Sequence, residues 1–539
     1  MPQPANTLIT RARVFTADPD HPHAEAVAVR GQRIVFVGSA DEAEGWRGPR
    51  TRVIEGQGRT LMPGFIDSHF HLLWGSLELG DIQLGEAKTL EGLTTAVRAF
   101  ANEHPDIPWL VGRGLSYAIL PDKQPLTRQR LDAVISARPL IVFAFDTHTA
   151  WANTEALRRA NLLKDGRTVS PNSEIVLGPD GLAEGELREP GAYRPVMDLI
   201  PPPDEARKRA LLHQGLAEAA ACGVTSVHNM DGNAEDLARY AALEDVGELT
   251  LRIYVPYSVT PHTPLEALAE AAALRDAYSS DMVRSGCAKF FMDGVIESYT
   301  ALLLDDYADR PGHRGGALFS AEHFTRMATE ADRLGLQIFV HAIGDGAVRR
   351  TLDGYEAARR AHGPRDSRHR VEHIELIHPD DLPRFAQLGV IASMQPLHAP
   401  PAALDADVWL ARVGGSRWQL GFAWQTLREA GAHLAFGSDW PVVTQNPMLG
   451  VHRALNRQRW SPGLPDQRQT LADTLIAYTR DAAYAEFQEH QKGTLRAGRL
   501  ADMALLSEDI FAAPADQIER VRPVLTMCDG RIVYEGSEL

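Results

Sequence analysis

The sequence predicts an α/β protein: a (β/α)8 TIM barrel with a small β-sandwich-like domain built from both chain ends. Three observations point there. From Gly223 onward, short apolar runs that read as buried strands recur between amphipathic helical stretches, and adding the run that ends at His71 gives about eight β/α units. The two ends of the chain read instead as short strands and turns, with too few strands at either end to bury a face alone. Finally, 539 residues exceed one ordinary core but suit a decorated barrel with a smaller domain beside it.

In chain order, residues 1–60 carry the strand-like runs Thr7–Thr10, Ala26–Val29 and, after the turn at Gly31-Gln32, Arg33–Gly38. Residues 61–485 are expected to form the barrel, interrupted by an insertion at about 72–222. That insertion mixes a helical pattern over Leu90–Asn102 with strand-like pieces at Trp109–Gly112 and Pro139–Asp146, and its topology is not legible. Its length marks an excursion of the kind that supplies a pocket wall or lid. The barrel strands are expected at Gly223–His228, Leu249–Val255, Cys287–Met292, Gln337–His341, Arg370–His373, Val390–Met394 and His433–Gly437, with helices such as Ala206–Ala221, Phe324–Leu334 and Val348–Ala361 between them. An open doubly wound sheet is the alternative, although no Gly-rich nucleotide fingerprint follows any of these strands. Residues 486–539 return to the opening style with Ala501–Leu506, Val524–Met527, a turn at Asp529-Gly530 and Arg531–Tyr534, so the two ends are expected to join.

A formal charge of −16 argues against nucleic acid or an anionic membrane surface as the main partner and favours an enzyme for small molecules. Cys222, Cys287 and Cys528 lack the short spacing of a zinc knuckle or redox motif and read as free thiols of a reducing compartment. No stretch resembles a signal peptide or approaches the length of a membrane span, so a cytoplasmic protein is expected.

The chemistry begins at Leu61–His71. In an extended strand residues two apart share a face, so His69 and His71 aim their imidazoles at one point, and neutral imidazole suits zinc. Asp67 shares that face as an outer ligand or an orienter. Other polar residues sit at the carboxyl ends of later strands, where barrels do their chemistry: Lys289, His341, His373 and Asp439. One strand-end histidine is commonly a hydrogen-bonded structural residue. Four, with an aspartate and a lysine, point to a metal site.

The local words Pro63-Gly64-Phe65-Ile66-Asp67-Ser68-His69-Phe70-His71, Lys289-Phe290-Phe291-Met292-Asp293-Gly294, His341-Ala342-Ile343-Gly344-Asp345, Val371-Glu372-His373 and Gly437-Ser438-Asp439-Trp440-Pro441-Val442 resemble the amidohydrolase superfamily, in the branch that includes N-substituted formamide deformylases. The resemblance runs to Gly493-Thr494-Leu495 and Ala501-Asp502. It implies two divalent metals, zinc by preference. His69 and His71 would hold the more buried metal and His341 and His373 the more exposed one, with Asp439 contacting metal and water. Lys289 would bridge both as a carbamate formed with carbon dioxide, because a free ammonium has no lone pair to give. If Lys289 is instead ion-paired with Asp293 or Glu297, a single metal is expected.

In that scheme Asp439 takes the water's proton and returns it to the leaving nitrogen; its alternative is a helix N-cap. His148, in Asp146-Thr147-His148, resembles the family's Asp-Gly-His word and would hydrogen-bond the substrate carbonyl. Asp293 and Asp345 would orient ligands, His228 would pack or support from behind, and Tyr299 and Trp151, with Trp74 and Trp440, would line the pocket. The chain reads Val295-Ile296-Glu297-Ser298-Tyr299-Thr300 where many relatives carry Ser-Leu-Gly-Ser-Arg-Thr, which leaves substrate identity open. The expected activity is hydrolysis of a non-peptide carbon–nitrogen bond: an N-substituted formamide, an N-acyl compound or a cyclic amide. An ester, lactone or phosphotriester hydrolase and a silent binding scaffold are the rivals. Relatives suggest a homodimer.

Overall fold

Eight parallel strands, each hydrogen-bonded to its neighbours in chain order, make a nearly closed barrel: β1 (Phe65–Phe70), β2 (Val224–Asn229), β3 (Arg252–Ser258), β4 (Val283–Phe291), β5 (Gln337–Ala342), β6 (Arg370–His373), β7 (Ile391–Met394) and β8 (His433–Phe436). The computed structural model of the chain describes residues 3–117, 119–120, 124–144, 149–164, 173–400 and 407–539. The open-sheet alternative is therefore set aside. Parallel strands need crossovers, and helices such as Ala321–Arg333 and Asp345–His362 supply them, the first capped by the Ser320 hydroxyl accepting from the His323 amide at 3.1 Å.

Sequence periodicity located these helices to within a few residues. The third strand runs three residues later at each end than the apolar run Leu249–Val255, and it continues through Pro256. Proline has no amide to donate, and the ladder accommodates it with a bulge: Val255 faces Ser285, Pro256 faces Cys287, and Gly286 between them takes φ +137°.

The seam between β8 and β1 is where the site forms. Phe70 and Trp440 make a parallel bridge, the Asp439 amide donates to the His69 carbonyl at 2.7 Å, and the His71 amide donates to the Trp440 carbonyl at 3.0 Å. The chain just beyond β8 is thereby fixed against the histidines of β1.

At the opposite end of the barrel, the helix Arg480–Ala485 leads into Glu486, which is buried with two cations and a histidine around it. Lys492 Nζ lies 2.5 Å from its carboxylate, His228 Nε2 3.2 Å and Arg284 Nη1 3.6 Å. Burial alone would raise the Glu486 pKa, but Lys492 and His228 outweigh it and hold the group down at about 2.

Strands from both chain ends share a second core. Arg531–Glu535, Pro523–Cys528, Met503–Leu506, Thr60–Pro63, Arg13–Phe15 and His23–Ala24 form one six-stranded sheet; Arg33–Gly38, Ala26–Arg30, Thr7–Thr10 and Arg52–Glu55 form a four-stranded one. Ile9, Val27 and Val29 of the latter pack with Leu61, Leu505 and Leu525 of the former. A buried bidentate pair, Arg252 at the start of β3 with Asp502 (2.6 and 2.9 Å), joins the C-terminal strands to the barrel.

Leu73–Gly215 form a second compact unit. Its six-stranded mixed sheet contains the strand Leu140–Ala144, apolar at every position because both faces are covered. Leu140, Val142 and Ala144 pack against the helices Leu90–Glu103 and Arg128–Val134, while Ile141 and Phe143 enter a separate cluster with Leu157, Leu187 and Val196. No helix among the described residues is long and apolar enough to cross a membrane.

Glu486 gives the fold a testable acid limit. Its folded pKa is depressed from 4.5 to about 2, so its contribution is present above 4.5 and lost as pH falls toward 2; the shift corresponds to about 3 kcal/mol. The gap in thermal unfolding midpoint between wild type and Glu486→Gln should be large at neutral pH and close on acidification. A gap independent of pH would contradict this.

Candidate metal centre

Two sets of three donor atoms converge among the described residues, each set lying within 4.8 Å: His69, His71 and Asp439, and His373, His398 and Asp439. Asp439 belongs to both. Its Oδ1 lies 3.3 Å from His69 Nε2 and 3.1 Å from His71 Nε2, and its Oδ2 lies 3.6 Å from His398 Nε2. Ligands bound tetrahedrally at zinc-like distances lie about 3.4 Å from one another. The spacing fits a cation, and so does the chemistry of a donor set made of imidazoles and one carboxylate.

Local backbone geometry produces this convergence. Strict alternation would put Glu372 and His373 on opposite faces of β6, but His373 and Ile374 take φ of +75° and +52°, and the chain leaves the strand there. The His373 ring then sits 4.6 Å from that of His69 and 4.5 Å from that of His341. Asp439 is likewise left-handed at φ +66°. Gly437 is required for the approach of β8 to β1: a Cβ there would lie 2.7 Å from Asp67 Oδ1 and collide with the His69 backbone. Asp67 is an orienter, since its Oδ1 accepts from the amides of His69 (3.1 Å) and Ser438 (2.9 Å) and so ties the two strand ends together.

The imidazoles are held by a buried chain. Glu372 Oε2 lies 2.8 Å from His69 Nδ1, which directs His69 Nε2 toward Asp439. Arg370 in turn donates to both Glu372 oxygens at 2.8 and 3.0 Å, to Ser393 Oγ at 2.8 Å and to the Ser68 carbonyl. Asp231, after β2, lies 3.2 Å from His71 Nδ1 and does for His71 what Glu372 does for His69.

Electrostatics separate the histidines. Burial disfavours charge on His71, yet Asp231 and Asp439 outweigh it and raise its pKa to about 9. Burial, aided by the Lys289 charge, pushes His341 down to about 3, and burial holds His373 well below its ordinary value, so both keep a lone pair at neutral pH. Burial would raise Asp439 and Glu372, but His69 and its neighbours hold the first, and Arg370 with His69 the second, well below the carboxylate range. Lys289 is buried, its Nζ has no hydrogen-bond partner and stands 4.9 Å over the Phe291 ring, and burial lowers its pKa to about 8 against the pull of Glu372 and Asp439.

Of the residues singled out from the sequence, His69, His71, Lys289, His341, His373 and Asp439 are brought to this end of the barrel. The ion pair considered for Lys289 is not made with Asp293: that carboxylate accepts from the amides of Ile343, Gly344 and Leu302 at 2.8–3.0 Å, fixing the turn after β5, and burial raises it to about 7. Asp293 Oδ1 stands 3.9 Å from His341 Nε2, which itself lies 3.2 Å from the Gly294 carbonyl.

Asp345 opens the helix Asp345–His362 and accepts from the Leu304 amide at 2.9 Å. His228 is packed inside the barrel between Arg370 (2.6 Å) and Glu486 (3.2 Å), and burial lowers its pKa to about 4. Tyr299 turns its ring to the guanidinium of Arg412 at 4.2 Å and its hydroxyl to Asp309 at 3.0 Å. Trp440 stacks on Phe70, and Trp151 belongs to the second unit, buried edge-on to Tyr117. His148 lies outside the described residues.

Sequence reading missed Glu372, Arg370, Asp231 and His398. The first two carried a signal, two charges at alternate positions of a buried strand; His398 was marked only by following β7 within four residues.

Comparison with known proteins identifies the family. Residues 52–534 match the amidohydrolase family. The chain is 30% identical over 518 residues to Protein LONG AFTER FAR-RED 3 of Arabidopsis thaliana, covering 93% of this chain and 87% of that protein. It is 25% identical over 548 residues to the N-substituted formamide deformylase of Arthrobacter pascens, covering 100% of each. Its fold is similar to the crystal structure of an uncharacterized metal-dependent hydrolase from Pyrococcus furiosus, with a TM-score of 0.72 at 24% identity over 92% of this chain and 97% of that one. The chain thus belongs to the amidohydrolase family and is a hydrolase acting on carbon–nitrogen bonds.

Proposed function

We propose that the chain hydrolyses a non-peptide carbon–nitrogen bond in a small molecule, an N-substituted formamide, an N-acyl compound or a cyclic amide, at a pair of divalent cations. His69, His71 and Asp439 would hold the inner cation, His341, His373 and Asp439 the outer one, with zinc the preferred metal and Lys289, as a carbamate, between them. The observation that carries the reading is the placement of Asp439, whose two oxygens face different imidazoles at 3.1–3.6 Å. The buried Lys289 amine without a hydrogen-bond partner supports the carbamate, since that position lacks the partner a permanent ammonium demands. Similarity along the whole length of a formamide deformylase supports formamides among the substrates.

Bound there, the cations supply the positive charge that ionises a water and polarises a carbonyl oxygen. The chain's own residues do the rest. Glu372 and Asp231 fix the two β1 imidazoles so that their Nε2 atoms face Asp439. Asp439 accepts the proton of the attacking water and returns it to the departing nitrogen. His341 and His373, kept neutral by burial, offer lone pairs rather than protons.

The same reading joins residues 1–60 and 486–539 into one β-sandwich-like domain beside the barrel of 61–485, supported by the core their two sheets share. It places a homodimer in the cytoplasm, with a small molecule as its partner.

Asp439→Asn should lower kcat for a formamide substrate by at least about a thousandfold while the thermal unfolding transition stays cooperative, since losing a metal-linked acid–base group removes more than one contribution. Full turnover in that variant would refute the site. A panel of matched amide and ester substrates decides the bond class, and preference for the ester would overturn the amide assignment. Isotope-labelled bicarbonate should yield a carbamate NMR signal that disappears in Lys289→Met; its absence in wild type would reduce the centre to a single metal.

A further inference from the structure

We propose that His398 is a ligand of the outer cation, together with His373 and Asp439. The proposal rests on the metal-centre reading above and adds to it a donor from the end of β7.

His398 is placed by its local sequence. The strand Ile391–Met394 is followed by Gln395, and Pro396, whose fixed φ suits the first position of a helical turn, starts a single 3-10 turn, Pro396–His398. Two contacts hold that turn over the barrel mouth: the Gly437 amide donates to the Met394 carbonyl at 3.1 Å before it, and the Arg453 guanidinium donates to the Ala399 carbonyl after it. The turn carries the His398 ring to 5.8 Å from that of His373, nearly parallel at 12°.

The donor atoms are what point to a cation. His398 Nε2 and His373 Nδ1 are both buried and both lack a hydrogen-bond partner. Buried polar atoms in native proteins are nearly always paired, and these two orphans belong to histidines whose donor atoms cluster with the Asp439 carboxylate, which a shared cation would satisfy. A proton shared with Asp439 alone would not do so: His398 Nε2 stands 3.6 Å from Asp439 Oδ2, too long for a good hydrogen bond and close to the roughly 3.4 Å between two ligands on one tetrahedral zinc. His341 stays a donor of the outer cation in the metal-centre reading, but its Nε2 lies 3.2 Å from the Gly294 carbonyl, so it is not one of the orphaned atoms. Asp439 then divides its two oxygens, Oδ1 toward the His69 and His71 pair and Oδ2 toward His398.

The test is a cobalt(II) titration of the demetallated full-length protein, followed by visible absorption and by metal analysis after desalting. Wild type should take up an inner and an outer equivalent. His398→Ala should keep the inner equivalent and weaken the outer one by at least about tenfold, with a changed absorption band, the size of loss expected when a group that builds a metal site is removed. His398→Asn, which keeps a polar side chain of similar reach, serves if the alanine variant does not give a wild-type circular dichroism spectrum. A folded variant that binds both equivalents with wild-type affinity and spectrum overturns the proposal, even if its turnover falls. So does a wild type with one equivalent that His398→Ala leaves unchanged. Failure of wild type to bind cobalt at all would bring down the metal-centre reading itself, an outcome distinct from loss of the His398 role alone.

Discussion

Closure of the barrel between its last strand and its first is the constraint on which the site depends. Asp439 and His69 are 370 positions apart in the chain, and they meet because the Asp439 amide donates to the His69 carbonyl while the Ser438 amide donates to Asp67. Three features permit the approach: a glycine at 437, where any side chain would strike the His69 backbone, a left-handed backbone at Asp439, and the Phe70–Trp440 bridge. Remove the close approach and the carboxylate no longer faces two imidazoles.

Behind the site runs a buried polar column. Lys492 and Glu486 at the far end of the barrel connect through His228 to Arg370, then Glu372, then His69. Each member is nearly inaccessible, with hydrogen bonds running from His228 through Arg370 and Glu372 to His69 and close charge contacts linking Lys492 and His228 to Glu486, the pairing under which burying charge is tolerable. The column costs hydrophobic packing along the barrel axis. What it gives in return is a fixed His69 ring, whose free nitrogen has one direction available.

Composition and pattern made much of this legible. Apolar runs separated by amphipathic helices announced a parallel barrel, because both faces of each strand are covered and the pattern is continuous rather than alternating. Candidates for the site were legible too, as polar residues at the carboxyl ends of those runs. Arg370 and Glu372 lie in a strand that the pattern locates, but their supporting role is not legible there, since charge at alternate positions identifies a shared face and not what that face meets. His398 was less visible still: it follows its strand by a short turn, and nothing local distinguishes it from a loop histidine. The insertion resisted because its sheet mixes parallel and antiparallel pairs and its last two strands exchange places relative to chain order.

By itself, then, the sequence determined the element types, the number of barrel strands and which side chains were chemically able to hold a cation, because these follow from periodicity and residue chemistry over short spans. The tertiary structure alone decided that Asp439 serves two groups of imidazoles, that Glu372 and Asp231 aim the β1 histidines and that His398 joins them. Those facts depend on register around a closed sheet and on left-handed backbone at His373 and Asp439, and no local pattern encodes either.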